Sequence, residues 1–282
     1  MKTILVPTDF SEQASFALDL AVQIGKKSKA KILLLNVIEG ARSFSFNTMG
    51  EAQASAGEEA FYVQKLVEQT RERLYDLKEE LLKQGLEIDS IVEIGNPYQS
   101  IASVVGEYQA DLIVMGTKGS SGLEEVLIGS NTERVVRFAE CPVITMKSKV
   151  DLANINKIVF ATDLSDDQIE VINAIKKMQK QLDAELHLVK VNTPNNFHTQ
   201  RQSAEEFKSF IDRHNIEKGH SHVYNEATEE DGILYFAEDI GECMIAIGTH
   251  GRTGILHLLS GSLAEDLVNH SKSPVWTMSM KK

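Results

Sequence analysis

A chain of 282 residues, 42% of them apolar, is long enough for two domains and apolar enough to bury a core in each, which excludes a disordered chain. Its net charge of -12 argues against nonspecific binding to nucleic acid or to an anionic membrane, both of which want a basic face, but not against a nucleotide held by local amides. Two cysteines, Cys141 and Cys243, make no disulfide framework. The start MKTILVPTDFSE is no signal peptide, and no apolar run nears the ~18 residues that span a bilayer, so a reducing cytoplasm is the expected setting.

In chain order, Val/Ile/Leu-rich strands are predicted at 2–7, 31–37, 88–93, 111–116 and 142–146. Helical runs fall at 12–26, about 57–84, 97–108 and 130–139, with Ser11 as an N-cap just after Asp9. The second half repeats the order, with strands at 156–161, 185–191, 220–225, 243–248 and 274–278 and helices between them. Strands that are apolar nearly throughout suit a parallel sheet covered on both faces. Five strands and four helices per half predict an α/β fold of two tandem doubly wound parallel sheets. Domains are expected at 1–148 and 149–282, joined through a polar segment, 147–156.

The halving is visible residue by residue. TDFS (8–11) meets TDLS (162–165), so Thr8 and Asp9 map to Thr162 and Asp163, 154 residues on. Val37 maps to Val191 at the same distance. GTKGSSGLEEVLIGSN (116–131) meets GTHGRTGILHLLSGSL (248–263) only 132 residues on. The missing 22 residues fall in the polar stretch 39–60, which reads as a mobile flap. Such self-similarity is the mark of a duplication.

Gly116 ends a strand, Gly129 precedes a helix, and Gly119 and Gly122 lie between. Glycines permit positive φ and close approach of a ligand to the backbone. Amides in such a turn, with the unpaired N–H groups of the next helix, form an anion nest. The loop is no Walker loop, since no Gly-Lys-Ser/Thr ends it. It is no dinucleotide fingerprint, since it follows the fourth strand. The plainer reading, a strand-to-helix connector, loses weight because the spacing occurs twice, each time with Thr-Asp after the first strand.

Gly116-x2-Gly119-x9-Gly129-Ser130-Asn131, with VPTDFS after the first strand and CPVITMK at the last, resembles the nucleotide signature of the universal stress proteins. Gly248-x2-Gly251-x9-Gly261-Ser262 repeats it. The resemblance covers nearly the whole chain. It implies a Rossmann-like fold and a site for ATP, or AMP or ADP, often with Mg²⁺ or Mn²⁺. Asp9, beside Pro7 and Thr8, would lie against the adenosine, the Val37 backbone would read the adenine edge, and Gly95 and Pro97 would border it. Gly116 would sit near the ribose, and the amides of Gly119, Gly129, Ser130 and Asn131, with Lys118 nearby, would hold phosphates. It also implies pairing of the two domains through their last strands, a homodimer of tandem chains, and a role in stress response without nucleic acid or membrane.

The second half departs from this pattern. EIGNPYQS (93–100) meets NEATEEDG (225–232), so Ala227 stands for Gly95 and Glu229 for Pro97. Glu229, Glu230 and Asp231 favour the first turn of a helix and also bring charge near the expected phosphates. Ala161 replaces Pro7 and Leu263 replaces Asn131, whereas His250 and Arg252 could reach an anion better than Lys118 and Ser120. The first site is expected to bind better.

Other chemistry is weaker. No Gly-x-Ser-x-Gly elbow or Ser-His-Asp arrangement is convincing, so at most a slow ATP hydrolysis is expected. His220 and His222 share one strand face, with Glu226 nearby, as a zinc pair would; two solvent-facing histidines is the plainer reading. The cysteines read as small core residues and His257 and His270 as surface residues. Phe61, Leu66, Leu74, Leu77 and Leu81 read as the core face of helix 57–84.

Overall fold

The computed structural model describes residues 1–39, 56–117, 128–250 and 258–280. The elements of the first half are β1 (Thr3–Pro7), α1 (Glu12–Ser28), β2 (Lys31–Ile38), α2 (Ala56–Leu82), β3 (Ile88–Ile94), α3 (Pro97–Tyr108), β4 (Leu112–Gly116), α4 (Ser130–Phe138) and β5 (Val143–Met146). The second half gives β6 (Lys157–Ala161), a 3₁₀ turn at Asp166–Gln168, α5 (Ile169–Leu182), β7 (Glu185–Asn192), α6 (Gln200–His214) and β8 (Gly219–Asn225). It closes with α7 (Glu229–Ile240), β9 (Met244–His250), α8 (Leu258–His270) and β10 (Val275–Met280). The apolar runs predicted as strands match these to within two residues, because each is bounded by a helix cap or a turn residue. Of the expected flap, residues 40–55 lie outside the described residues.

Each half is a parallel sheet in the order 3-2-1-4-5, and β5 pairs antiparallel with β10, so the two sheets make one sheet of ten strands. Trp276 stands opposite Ile144 at that seam and is 1% exposed. Alternation along the strands sends residues to two cores. Ile4, Val6, Phe160 and Trp276 pack under α1, α2, α5 and α6. Leu5, Ile113, Val159 and Ile245 pack under α3, α4, α7 and α8. Both cores run through both halves, so the duplicated units share their interior.

The polar linker is anchored: Leu152 and Ile155 are buried, and the Leu152 N–H donates to Gln23 Oε1 at 2.8 Å. One expectation changes: on α2, Leu74 and Leu81 are buried but Phe61 is 70% exposed. Cys141 and Cys243 are both buried and neither is in a disulfide; burial pushes the Cys243 thiol up. No helix among the described residues is long and apolar enough to cross a membrane.

Candidate functional site

The same turn follows the first strand of each half. Thr8 Oγ1 accepts from the Phe10 N–H at 3.1 Å, and Asp9 Oδ1 accepts from the Ser11 N–H at 3.0 Å. In the second half Thr162 Oγ1 accepts from Leu164 N–H at 2.9 Å, and Asp163 Oδ1 from Ser165 N–H at 3.0 Å. These paired bonds hold Phe10 and Leu164 at φ of 63° and 64°, a left-handed conformation rare for such side chains. The turn ends each strand abruptly, starts the next helix and leaves the aspartate at the carboxyl edge of the sheet. Strand order reverses between β1 and β4, and a cleft opens at such a switch point.

In the first half this cleft is a cavity of about 420 Å³. Pro7, Thr8, Asp9, Val37, Pro97, Gly116, Gly129, Ser130 and Asn131 line it, so nine of the residues singled out by sequence meet there. Ala14, Glu39 and Thr132 also line it. The Thr8 N–H donates to Leu35 O at 2.8 Å, which is the last bond between β1 and β2. Two residues on, the Val37 backbone faces the same side, past the end of β1 and toward the cleft. Asn36 Nδ2 donates to Thr8 O at 2.7 Å and braces this edge. Gly95, at φ 149°, leads into Asn96, whose side chain caps α3 ahead of Pro97.

Gly129 is the N-cap of α4 and gives it no side-chain cap, while Thr132 Oγ1 donates to Gly116 O at 3.1 Å. The opening amides of α4 at Ser130 and Asn131 therefore face the cleft at the positive end of the helix. The two glycines differ in cause. A Cβ on Gly116 would lie 2.8 Å from Gln13 Cβ, so α1 demands a glycine there. Among the described residues a Cβ on Gly129 would meet no atom closer than 3.5 Å, and its φ is an ordinary -63°, so those residues make no such demand. Lys118 and Gly119 lie outside the described residues.

In the second half the matching cavity is about 120 Å³. Thr162, Asp163, Val191 and Gly248 line it, with Glu229 and Leu263. Gln168 takes up part of this space. It stands where the first half has Ala14, is 5% exposed, donates to Asp163 Oδ1 at 2.9 Å and meets Thr162 Oγ1 at 2.6 Å. Lys190, in the position of Asn36, is 4% exposed and paired with Glu206 at 2.5 Å. Met280 closes the floor, its sulfur 3.3 Å from where a Cβ on Gly248 would sit.

Two details of the second half differ from the sequence expectation and one agrees with it. The Glu226 N–H donates to Asn192 O as the Gly95 N–H does to Ile38 O, so Glu226 takes the place of Gly95 and Ala227 is an added residue. As expected, Glu229 to Asp231 form the acidic first turn of α7, which Thr228 caps. Helix α8 begins at Leu258, so Gly261 and Ser262 lie inside it, where their amides serve the helix ladder. Gly251 and Arg252 lie outside the described residues, as does His257.

The histidines also differ. Only His220 of the expected solvent-facing pair is exposed; His222 is half-buried, and both rings stack on His187 of β7, at centroid distances of 4.8 and 5.2 Å. The signal was the pattern His187-x-Val189 on the neighbouring strand, which acquires meaning only through the register pairing His187 with His220. His270 is a surface residue bound to Glu230 at 2.5 Å.

Two tandem α/β units, each with a cleft at its switch point, define this as a duplicated Rossmann-like protein. The universal stress protein family model matches residues 1–147 and again 154–278, and the chain belongs to that family. Universal stress protein MJ0577 of Methanocaldococcus jannaschii is 32% identical over 155 residues, spanning 96% of that protein and 52% of this chain. A universal stress protein of known structure from Archaeoglobus fulgidus matches 99% of this chain with 98% of its own length, at 21% identity and a TM-score of 0.79. One from Pseudomonas aeruginosa matches 99% with 93% of its own, at 20% identity and a TM-score of 0.69. At those identities the two structures establish the shared tandem fold.

Proposed function

We propose that the chain binds one adenine nucleotide, ATP with a divalent ion, in the first-domain cleft and acts as a nucleotide-responsive regulator in the stress response. The observation that carries this reading is the contrast in volume. Ligand sites of this class occupy roughly 300–1,000 Å³, a range that includes 420 Å³ and excludes 120 Å³. The polar groups of the first cleft also fit the two ends of the ligand. Asp9 and the Val37 backbone offer an acceptor and a backbone edge on the β1–β2 side, suited to ribose hydroxyls and a base. The opening amides of α4 offer donors and a positive dipole on the β4 side, suited to phosphate. Mg²⁺ or Mn²⁺ would neutralise the phosphates so that the carboxylates of Asp9 and Glu39 do not repel them.

A homodimer of tandem chains would need a surface other than β5 and β10, since these already pair within the chain. The cytoplasm remains the proposed location. The test is to denature freshly purified protein, identify released small molecules by mass and titrate the remainder with ATP–Mg²⁺. One nucleotide per chain supports the reading. None, with no thermal shift on added nucleotide, would make the chain a scaffold that works through its surfaces.

A further inference from the structure

At the other end of the second sheet, near the amino ends of β7 and β8, four side chains meet on the face covered by α7. His187 Nε2 lies 3.3 Å from Glu185 Oε2, and His187 Nδ1 lies 3.0 Å from His222 Nε2. His220, opposite His187 in the parallel register, stacks on it. One donor atom from each of Glu185, His187 and His220 lies within 4.8 Å of the others. We propose that Glu185, His187 and His220 form a binding site for a transition-metal dication of the Zn²⁺ class, with water as the fourth ligand.

The ligand set is chemically apt. Two imidazoles and a carboxylate suit Zn²⁺, and a tetrahedral ion at about 2.0–2.1 Å from each donor holds the donors roughly 3.3 Å apart. The Glu185–His187 pair already has that separation. Only the exposed His220 and Glu185 need to move to close the site, while the buried His187 stays. His222 supplies the support such a site requires. With His187 Nε2 turned to the ion, Nδ1–H donates to His222 Nε2, which sets the tautomer and the ring plane. His222 is itself held against Phe236 of α7, with ring centroids 4.8 Å apart. The neighbouring Lys157 on β6 directs its ammonium to the Ile240 carbonyl, 2.7 Å away.

The first domain shows that the fold does not require this cluster. By strand register Lys31 stands for Glu185, Leu33 for His187, Asp89 for His220 and Ile91 for His222. There a leucine fills the buried position and Lys31 and Asp89 form an ion pair at 3.4 Å. An equivalent edge is therefore stable with apolar and paired residues, and four metal-competent side chains replace them only in the second domain.

The test is a Zn²⁺ titration of the untagged full-length chain, without nucleotide, against a chromophoric chelator, with metal counted per chain after dialysis. One Zn²⁺ per chain is expected. His220→Ala and Glu185→Gln, both at exposed positions, should each weaken binding at least tenfold while melting as the parent does. His222→Phe should weaken it by about ten- to a hundredfold through loss of the support. His187→Leu, which installs the first domain's residue, should abolish the visible band of the Co²⁺-loaded protein. Ala14→Gln, in the nucleotide cleft, should leave the Zn²⁺ count unchanged, which keeps the two sites distinguishable. No stoichiometric uptake, or uptake indifferent to both His220→Ala and Glu185→Gln, would overturn the proposal.

Discussion

After β1 the chain reads Thr8-Asp9-Phe10-Ser11-Glu12-Gln13-Ala14; after β6 it reads Thr162-Asp163-Leu164-Ser165-Asp166-Asp167-Gln168. The two turns share the left-handed third residue and the same pair of side-chain bonds, but Glu12 opens an α-helix whereas Asp166 to Gln168 form a 3₁₀ turn. The seventh residue differs most in what it does. Ala14 leaves the cleft open, whereas Gln168 reaches back and takes the oxygens of Thr162 and Asp163. The second cleft thus carries a buried side-chain amide against its Thr-Asp pair where the first has the methyl group of Ala14.

The comparison can be broken most directly by exchanging those residues. Ala14→Gln should place an amide against Thr8 and Asp9 and weaken ATP–Mg²⁺ binding more than a hundredfold, or about 2.7 kcal/mol, by titration calorimetry. Unchanged affinity would remove the plug from the explanation. Gly129→Ala should weaken binding roughly ten- to a hundredfold at little cost to folding, since a Cβ there meets ordinary protein contacts but stands at the opening amides of α4. Gly261→Ala, inside α8, should leave affinity as it was. If the two variants behave alike, the claim that only the first loop faces a ligand fails.

Gln168→Ala sharpens the same contrast from the other side. It should raise the stoichiometry above one nucleotide per chain at high ligand, and lower stability by about 1–2 kcal/mol through the lost bonds to Thr162 and Asp163. A stoichiometry that stays at one would shift the weight to Lys190, Met280 and the acidic turn at 229–231.

The smallest expected effect concerns pH. His187, His214 and His222 are held below 6.5, first by burial and then by neighbouring positive or protonatable groups. The unfolded chain therefore takes up protons before the folded chain does. Stability should be flat between about pH 7 and 8 and fall as pH drops through 6.5 and below. Melting followed from pH 8 to 5 should show this slope, and His187→Leu should reduce it. A melting point that rises on acidification would contradict the burial of these rings.

Much of the molecule was legible without coordinates. The Ser11 cap, the Pro97 helix start and the strand limits follow from neighbours a few residues apart, and the doubling follows from repeated spacing. Nine residues of the first cleft could be picked out because motif positions at the ends of β1, β2 and β4 all fall at one edge of a doubly wound sheet. Phe61 was misplaced because periodicity reports a stripe and not which of its members the tertiary structure covers. Ala227 was matched to Gly95 because a one-residue insertion leaves the helix-start match intact and shows only in the bond from Glu226 to Asn192.

Local pattern therefore settled what kind of fold this chain makes, how many times it makes it and which motif residues meet at the carboxyl edge of the first sheet. The state of each cleft was settled in three dimensions. Gln168 looks like any helix-start glutamine until the turn before it is left-handed and its amide falls on Asp163. His187 and His220 are far apart along the chain and become neighbours only through the parallel pairing of β7 and β8. Periodicity is a property of adjacent residues, whereas filling a cavity or gathering ligands depends on register between strands, which only the folded sheet supplies.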